Sequence, residues 1–199
     1  MAAELARAAA CAESGDATGA LHAAGPVRQA ARRQGDVAAE AQALHCIASV
    51  QLRLLGDFPA AFASARAAAF AFESAAMTAD ECGALATQAI AAARLGYCES
   101  AVDRALLAVR LCGDLPSGEV AMAQVAAHHA LGVAMYVGGA YTEASAAWQR
   151  AIELADQCHP SVDPYELHAD LASAEVMRLH KARSSGATAL DLGPLTEHL

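Results

Sequence analysis

The sequence is poor in aromatic residues, in lysine and in long apolar runs. Aromatic side chains make up 5% of the 199 residues, and lysine occurs once against twelve arginines. Charged or amide side chains interrupt every apolar stretch before it reaches the roughly 20 residues of a membrane span. The basic residues form no cluster and the net charge is −9, which argues against binding to a nucleic-acid backbone. We therefore expect a soluble chain that binds neither membranes nor nucleic acids.

The motifs of catalysis and of metal binding are also missing. There is no phosphate-binding glycine loop, no serine-hydrolase elbow and no zinc-protease motif. His45 and Cys46 are neighbours in sequence, so a helix turns them to different sides, and the same holds for His128 and His129. No further metal ligand stands one turn from either member of the second pair. We expect no enzyme activity, no cofactor and no metal, and packing roles for His45 and His128.

The cysteines and the N-terminus both favour a reducing cytoplasm. Six cysteines are spread along the chain without a C-x-x-C pair: Cys11, Cys46, Cys82, Cys98, Cys112 and Cys158. Such cysteines are typical of small buried apolar residues in a cytosolic protein. The N-terminal residues do not show the charged and then apolar layout of a signal peptide.

Alanine and regularly spaced glycine dominate what is present. The chain holds 56 alanines, and alanine is the best intrinsic helix former. Gly15, Gly56, Gly96 and Gly139 follow one another at intervals of 41, 40 and 43 residues, each between two apolar helical stretches. A period of about 40 residues predicts an array of helical hairpins that bury their apolar faces against one another.

Small and aromatic residues recur at fixed distances from these glycines. Seven residues before the last three glycines stand Ser49, Ala89 and Gly132. Five and twelve residues after them stand Ala61 and Ala68, Ala101 and Ala108, and Ala144 and Ala151. Phe58 and Tyr141 each follow a turn glycine by two residues. The small residues allow helices to approach closely, and the two rings can fill the space between them.

This pattern resembles the tetratricopeptide repeat (TPR) family. The fourth unit carries it most clearly, in Leu131-Gly132, Gly139, Tyr141, Ala144, Trp148 and Ala151, and the resemblance covers about four-fifths of the chain. It implies an all-α fold: a right-handed superhelical solenoid of about four hairpins with a C-terminal capping helix. The long hairpins also resemble bacterial arrays that precede diguanylate cyclase or helix-turn-helix activator domains.

Turn and cap signals predict where the helices lie. First helices are expected at 37–55, 79–95 and 118–137, second helices at 59–75, 99–112 and 142–157, and a final helix at 165–181. A capping box at Thr78–Glu81, Asp36 after Gly35, and Ser117 mark the helix starts. Gly25-Pro26 is expected to kink or split the second helix of the first unit, and His159–Pro164 to break the chain.

The repeat domain is expected to cover residues 1–183. Its units are 1–34, 37–75, 79–112 and 118–157, followed by the terminal helix. That helix is expected to turn Glu166, Asp170 and Arg178 outward, as a cap does. Residues 184–199 are interpreted as a flexible tail or a linker.

The resemblance implies a ligand groove, because first helices line the concave face in this family. The implied groove residues are Cys46, Val50, Arg53, Ala86, Ile90, Arg94, His129, Val133 and Tyr136, with Leu54 beside Arg53. Their apolar members suit an amphipathic helix or an extended peptide, and the two arginines can hold a carboxylate. The groove lacks the lysine and asparagine of the family members that bind chaperone C-termini, which disfavours that subtype.

The function that we expect is non-enzymatic binding of a protein or peptide, acidic or amphipathic, on the concave face. The alternative is an N-terminal sensory or regulatory module of a bacterial signalling protein, in which residues 184–199 begin a linker to a diguanylate cyclase or transcriptional-activator output domain. Both hypotheses are compatible with a homodimer.

Overall fold

The structure, a computed structural model, describes residues 1–113, 121–157 and 165–184. These residues form helices and no strand, which confirms the all-α prediction. The helices are α1 Ala2–Glu13, α2 Ala17–Gln34, α3 Val37–Arg53, α4 Phe58–Ser74, α5 Thr78–Arg94, α6 Cys98–Gly113, α7 Ala121–Val137, α8 Tyr141–Gln157 and α9 Tyr165–Ser184.

Consecutive helices pack against one another throughout the described residues, from α1 on α2 to α8 on α9. The odd-numbered helices α1, α3, α5 and α7 also contact one another in sequence. Each helix therefore packs mainly against neighbours that are close along the chain, which is the arrangement of an α solenoid. The four predicted hairpins are α1–α2, α3–α4, α5–α6 and α7–α8, and α9 packs on α8 as the final helix.

Glycine in a left-handed conformation makes the turn inside each hairpin. The φ angles are +80° at Gly15, +63° at Gly56, +81° at Gly96 and +76° at Gly139. A residue with a β-carbon is strained there by roughly 1–2 kcal/mol. The spacing of about 40 residues therefore marks the hairpin turns, as predicted from the sequence.

Ala76 occupies the same left-handed region, with φ +55°, in the turn between α4 and α5. We expect Ala76→Gly to raise the free energy of unfolding by about 0.5–1 kcal/mol, because glycine removes the steric strain of the β-carbon. Urea unfolding measures the change. The control is Ala67→Gly, on the exposed side of α4, which should lower the free energy of unfolding by about 1 kcal/mol. A loss of stability in both variants would contradict the expectation.

Close helix contacts fall where the sequence places small residues. The six alanines that follow the turn glycines are fully buried: Ala61, Ala68, Ala101, Ala108, Ala144 and Ala151. Gly132 of α7 lies directly against the indole of Trp148 in α8. The small side chains therefore sit inside the hairpin interfaces, where there is little room for a larger one.

Where they fall on described residues, the predicted helix boundaries agree with the described ones to within three residues. The final helix is longer than predicted and ends at Ser184, so this residue is helical rather than part of a tail. Residues 185–199, the predicted helix start at Ser117, Cys158 and the predicted break at 159–164 lie outside the described residues.

The prediction of a split at Gly25-Pro26 is wrong, because α2 continues through Pro26 to Gln34. Pro26 lies on the exposed side of α2, while Ala23, Ala24 and Val27 are buried. The helix carbonyl that proline leaves without an N–H partner is four residues earlier, at exposed His22, where water can bind it. Packing of the buried side holds the helix together across the proline.

The predicted capping box at Thr78–Glu81 is also wrong. Met77 is the N-cap of α5 and makes no side-chain cap, whereas Asp36 accepts a hydrogen bond of 3.0 Å from the Ala39 amide at the start of α3. The turn after α4 closes when the Met77 amide donates to the Phe72 carbonyl at 3.0 Å. This bond sets Met77 at the cap position and leaves Thr78 one residue inside the helix.

The cysteines divide into two groups. Cys82 of α5 and Cys112 of α6 are buried in one apolar cluster that extends from α3 to α7, as expected of small core residues. Hydrogen bonding to Cys112, together with burial, raises the pKa of the Cys82 thiol. Cys11, Cys46 and Cys98 are only half-buried.

None of the described helices combines the length and the apolar character that crossing a membrane requires.

Candidate functional site

An open cavity of about 920 Å³ lies among the odd-numbered helices α3, α5, α7 and α9. Its wall comes from α3, the turn after α3, the first residue of α4, and α5, α7 and α9: Ser49, Leu52, Arg53, Leu54, Gly56, Phe58, Thr87, Ile90, Arg94, His129, Val133, Ala169 and Asp170. Four helices surround one space, so this surface is concave. Cavities of roughly 300–1,000 Å³ are typical of ligand sites, although this one is open to solvent.

Two arginines lie at one edge of the cavity. Arg53 is the last residue of α3 and Arg94 the last of α5. The antiparallel helix α4 connects α3 and α5 through short turns, so α3 and α5 run in the same direction and their ends lie on the same side. Both side chains are exposed, and neither has a hydrogen-bond or ion-pair partner among the described residues.

A positive charge at Arg53 and at Arg94 also stabilises the helix that carries it. The C-terminal end of a helix carries a partial negative charge, which favours a cation in the last turn. This effect accounts for a positive charge at each position, but it leaves the five N–H donors of each guanidinium available to another molecule.

A histidine and a carboxylate join α7 to α9 within the cavity wall. His129 Nε2 lies 2.9 Å from Asp170 Oδ2, so the imidazole donates its Nε2–H to the carboxylate. Asp170 is the single carboxylate among the described residues of the cavity wall. The pair fixes the position of α9 next to α7 and leaves the Asp170 side chain partly exposed to the cavity.

Thr87 is held in the wall of the cavity by two hydrogen bonds. Its hydroxyl donates to the Gly83 carbonyl at 3.0 Å, and its oxygen lies 3.3 Å from His45 Nε2. Because the threonine proton is already engaged, His45 acts as the donor. Burial lowers the pKa of His45, against the opposing effects of the Asp80 charge and of a hydrogen bond to Gly83. His45 also packs edge-on against Phe72 of α4, so this side chain of α3 contacts both α4 and α5.

Five of the nine groove residues predicted from the sequence line this cavity. They are Arg53, Ile90, Arg94, His129 and Val133, and Leu54 lies beside them. The structure therefore brings together residues from three first helices that are separated by up to 80 residues in the chain.

The placement in the groove is wrong for the other four residues. Val50 is 1% exposed and Ala86 2% exposed, so both are core residues. Cys46 packs against the cluster of Ala8, Ala23 and Ala24 in the preceding hairpin, and burial raises its pKa. Tyr136 packs between α7 and α8, with its ring centroid 5.5 Å from Tyr141 and 5.8 Å from Trp148.

A difference in helix rotation explains part of this error. Val50, Ile90 and Val133 occupy the same position in their repeats, yet α3 presents Ser49, Leu52 and Arg53 to the cavity instead of Val50. Successive residues point about 100° apart on a helix, so the side of α3 that faces the cavity decides whether Val50 or its neighbour Ser49 lines the wall. The equivalent position of a residue in each repeat does not specify how its helix is rotated about its own axis.

Asp170 is the charged residue of the cavity wall whose position the sequence did not predict. The terminal helix was expected to turn Asp170 outward, and this is wrong because the carboxylate faces His129 in the cavity. Arg178 is half-buried and donates to Glu175 at 2.7 Å. The side chain of Glu166 lies outside the described residues. No local signal distinguishes Asp170, because its partner lies 41 residues earlier.

Comparison with known proteins gives no match to a protein-family model and no significant match to a curated protein sequence.

Proposed function

We propose that this protein is a non-enzymatic scaffold of the TPR type that binds a peptide or a peptide segment of another protein in the concave cavity. One observation carries the proposal: α3, α5, α7 and α9 together line one open cavity that contains apolar and polar side chains. The hairpin turns at glycine and the buried alanines between helices support the resemblance to this repeat family.

The composition of the wall suits a peptide. Leu52, Leu54, Phe58 and Ile90 supply apolar contact area. Arg53, Arg94, Thr87 and Asp170 supply donors and acceptors for a peptide backbone and its side chains. Solenoid repeats use extended concave surfaces for binding, and an open groove with both kinds of group suits a peptide segment. A regulatory module would use the same cavity, and no described residue favours that alternative over a free-standing adaptor.

The test begins with a random library of twelve-residue peptides displayed on phage and selected on the full chain. Selected peptides are synthesised, and their dissociation constants are measured by fluorescence anisotropy. We expect Leu54→Ser to weaken binding about tenfold, because an exposed leucine in the cavity wall loses its apolar contact with the peptide.

Leu55→Ser is the matched control. Leu55 is the next residue in the same turn and is 51% exposed, against 37% for Leu54, but it does not line the cavity. Its substitution should leave the dissociation constant unchanged. Failure to select any reproducible peptide, or equal effects of the two substitutions, would contradict binding in this cavity.

A further inference from the structure

The distribution of charge in the cavity bears on the chemistry of its ligand. The whole chain has a net charge of −9, yet the cavity wall carries two arginines and one carboxylate. That carboxylate, Asp170, is already bonded to His129 at 2.9 Å. Neither arginine has a partner among the described residues. No carboxylate of the described residues therefore pairs with the positive charge at this edge.

We infer that the ligand of the cavity is an acidic peptide, in which Arg53 and Arg94 bind the carboxylates of Asp or Glu side chains. This inference rests on the proposed function. A guanidinium suits this role because its planar N–H donors can form two parallel hydrogen bonds to one carboxylate. The proposed ligand is therefore a peptide with carboxylates next to apolar side chains.

The arrangement of side chains along α5 gives the spacing of the peptide. Thr87, Ile90 and Arg94 all line the cavity, in that order along the helix. Ile90 and Arg94 are four residues apart, which corresponds to about 6 Å along the helix axis. In an extended peptide, two residues span about 6.6 Å, and side chains two positions apart point to the same side. We therefore propose that the peptide lies along α5 and carries an acidic residue two positions from an apolar residue.

The far end of the same helix face is polar and uncharged. Thr87 lies seven residues before Arg94, about 10 Å along the axis, and its hydroxyl proton is engaged by the Gly83 carbonyl. Its oxygen and the exposed part of the Asp170 carboxylate can accept hydrogen bonds from peptide N–H groups. Acidic side chains are disfavoured next to Asp170, so the carboxylates of the peptide belong at the arginine end.

The competing explanation is that the arginines serve only their own helices. Arg110 provides the control for it, because it is exposed, lies in the last turn of α6 and does not line the cavity. If the arginines only stabilise their helix ends, substitutions at Arg94 and Arg110 should have the same effect on stability and no different effect on peptide binding. A ligand role predicts an effect on peptide binding at Arg53 and Arg94 alone.

The experiment selects the random twelve-residue library on three proteins: the full chain, Arg53→Gln/Arg94→Gln and Arg66→Gln/Arg110→Gln. Arg66 is exposed on α4 and completes the matched control. We expect the full chain and the control variant to enrich Asp and Glu two positions from an apolar residue. The cavity variant should lose that enrichment and bind the acidic peptides about tenfold more weakly. Circular dichroism checks that each variant keeps its helices.

Added salt gives a second readout. Raising NaCl from about 50 to 500 mM should weaken the binding of acidic peptides to the full chain and have little effect on the cavity variant, since salt screens exposed charges.

The outcomes separate the two proposals. Selection of peptides without acidic enrichment, or enrichment that survives in Arg53→Gln/Arg94→Gln, overturns the acidic ligand and leaves peptide binding standing. Equal losses in the cavity and control variants would also overturn it. If no peptide is selected on the full chain, the proposed function itself fails, and the inference fails with it.

Discussion

Gly132→Ala should lower the free energy of unfolding by about 3 kcal/mol, the largest effect that we expect from a single methyl group in this protein. A β-carbon at this position would lie 2.5 Å from Trp148 Nε1 and 2.6 Å from its Cδ1 and Cε2 atoms. Trp148 is almost fully buried between α7 and α8, so its ring has no free space into which to move. The two helices would have to separate, which would weaken the hairpin interface along its length.

Urea unfolding of Gly132→Ala and Gly113→Ala measures this effect against a matched substitution. A β-carbon at Gly113, at the end of α6, meets nothing within 4 Å, so that change should stay within about 0.5 kcal/mol. In a Trp148→Leu background the cost of Gly132→Ala should fall, because the indole that causes the clash is gone. Equal effects of the two alanine substitutions would show that α7 and α8 are farther apart than described.

Ala144→Leu should lower the free energy of unfolding by about 2–3 kcal/mol, because it forces three additional carbon atoms into a packed interface. Ala144 is fully buried and belongs to the same apolar cluster as Trp148, Ala151 and Leu171. The added side chain has no solvent-exposed direction to take. Urea unfolding gives the magnitude of the change.

Ala146→Leu provides the control, since Ala146 lies two residues farther along α8 on the exposed side. It should change the free energy of unfolding by no more than about 0.5 kcal/mol. Hydrogen exchange should show the damage from Ala144→Leu in α7, α8 and α9, with the amides of α1 and α2 unaffected, because repeats are coupled through neighbours. Tolerance of leucine at both positions would mean that the repeat register of α8 is wrong.

Local features of the sequence were sufficient to predict the hairpins. The left-handed turns at Gly15, Gly56, Gly96 and Gly139 depend on the absence of a β-carbon at each position. Apolar periodicity between the turns depends on the side of each helix that is buried. Both properties lie within a few residues of chain, so the helix boundaries followed to within three residues.

Predictions failed where distant packing overrides a local preference. Pro26 was expected to disturb α2, but the buried residues on the opposite side hold the helix together. Thr78 has the composition of a cap, but the turn that follows α4 gives that position to Met77. In both cases the local preference amounts to a few kcal/mol or less, and the packing of a whole helix outweighs it.

The candidate site was predictable only in part for the same reason. The repeat register identified Arg53, Ile90, Arg94, His129 and Val133 as cavity residues, because first helices share one side of a solenoid. The register also proposed Val50 and Tyr136, whose side chains the structure places in the core and between α7 and α8. The rotation of each helix about its axis depends on side-chain volumes in its neighbours, which the register does not contain.

The sequence by itself determined the hairpin architecture and its close contacts, because turn conformation, helix periodicity and side-chain size are local properties. Tertiary structure alone decided which residues face the cavity. The return of α9 brings Asp170 to His129 across 41 residues, and it does so through the packing of α8 on α7 and of α9 on α8. Positions so far apart in the chain are related only by the accumulated geometry of the helices between them.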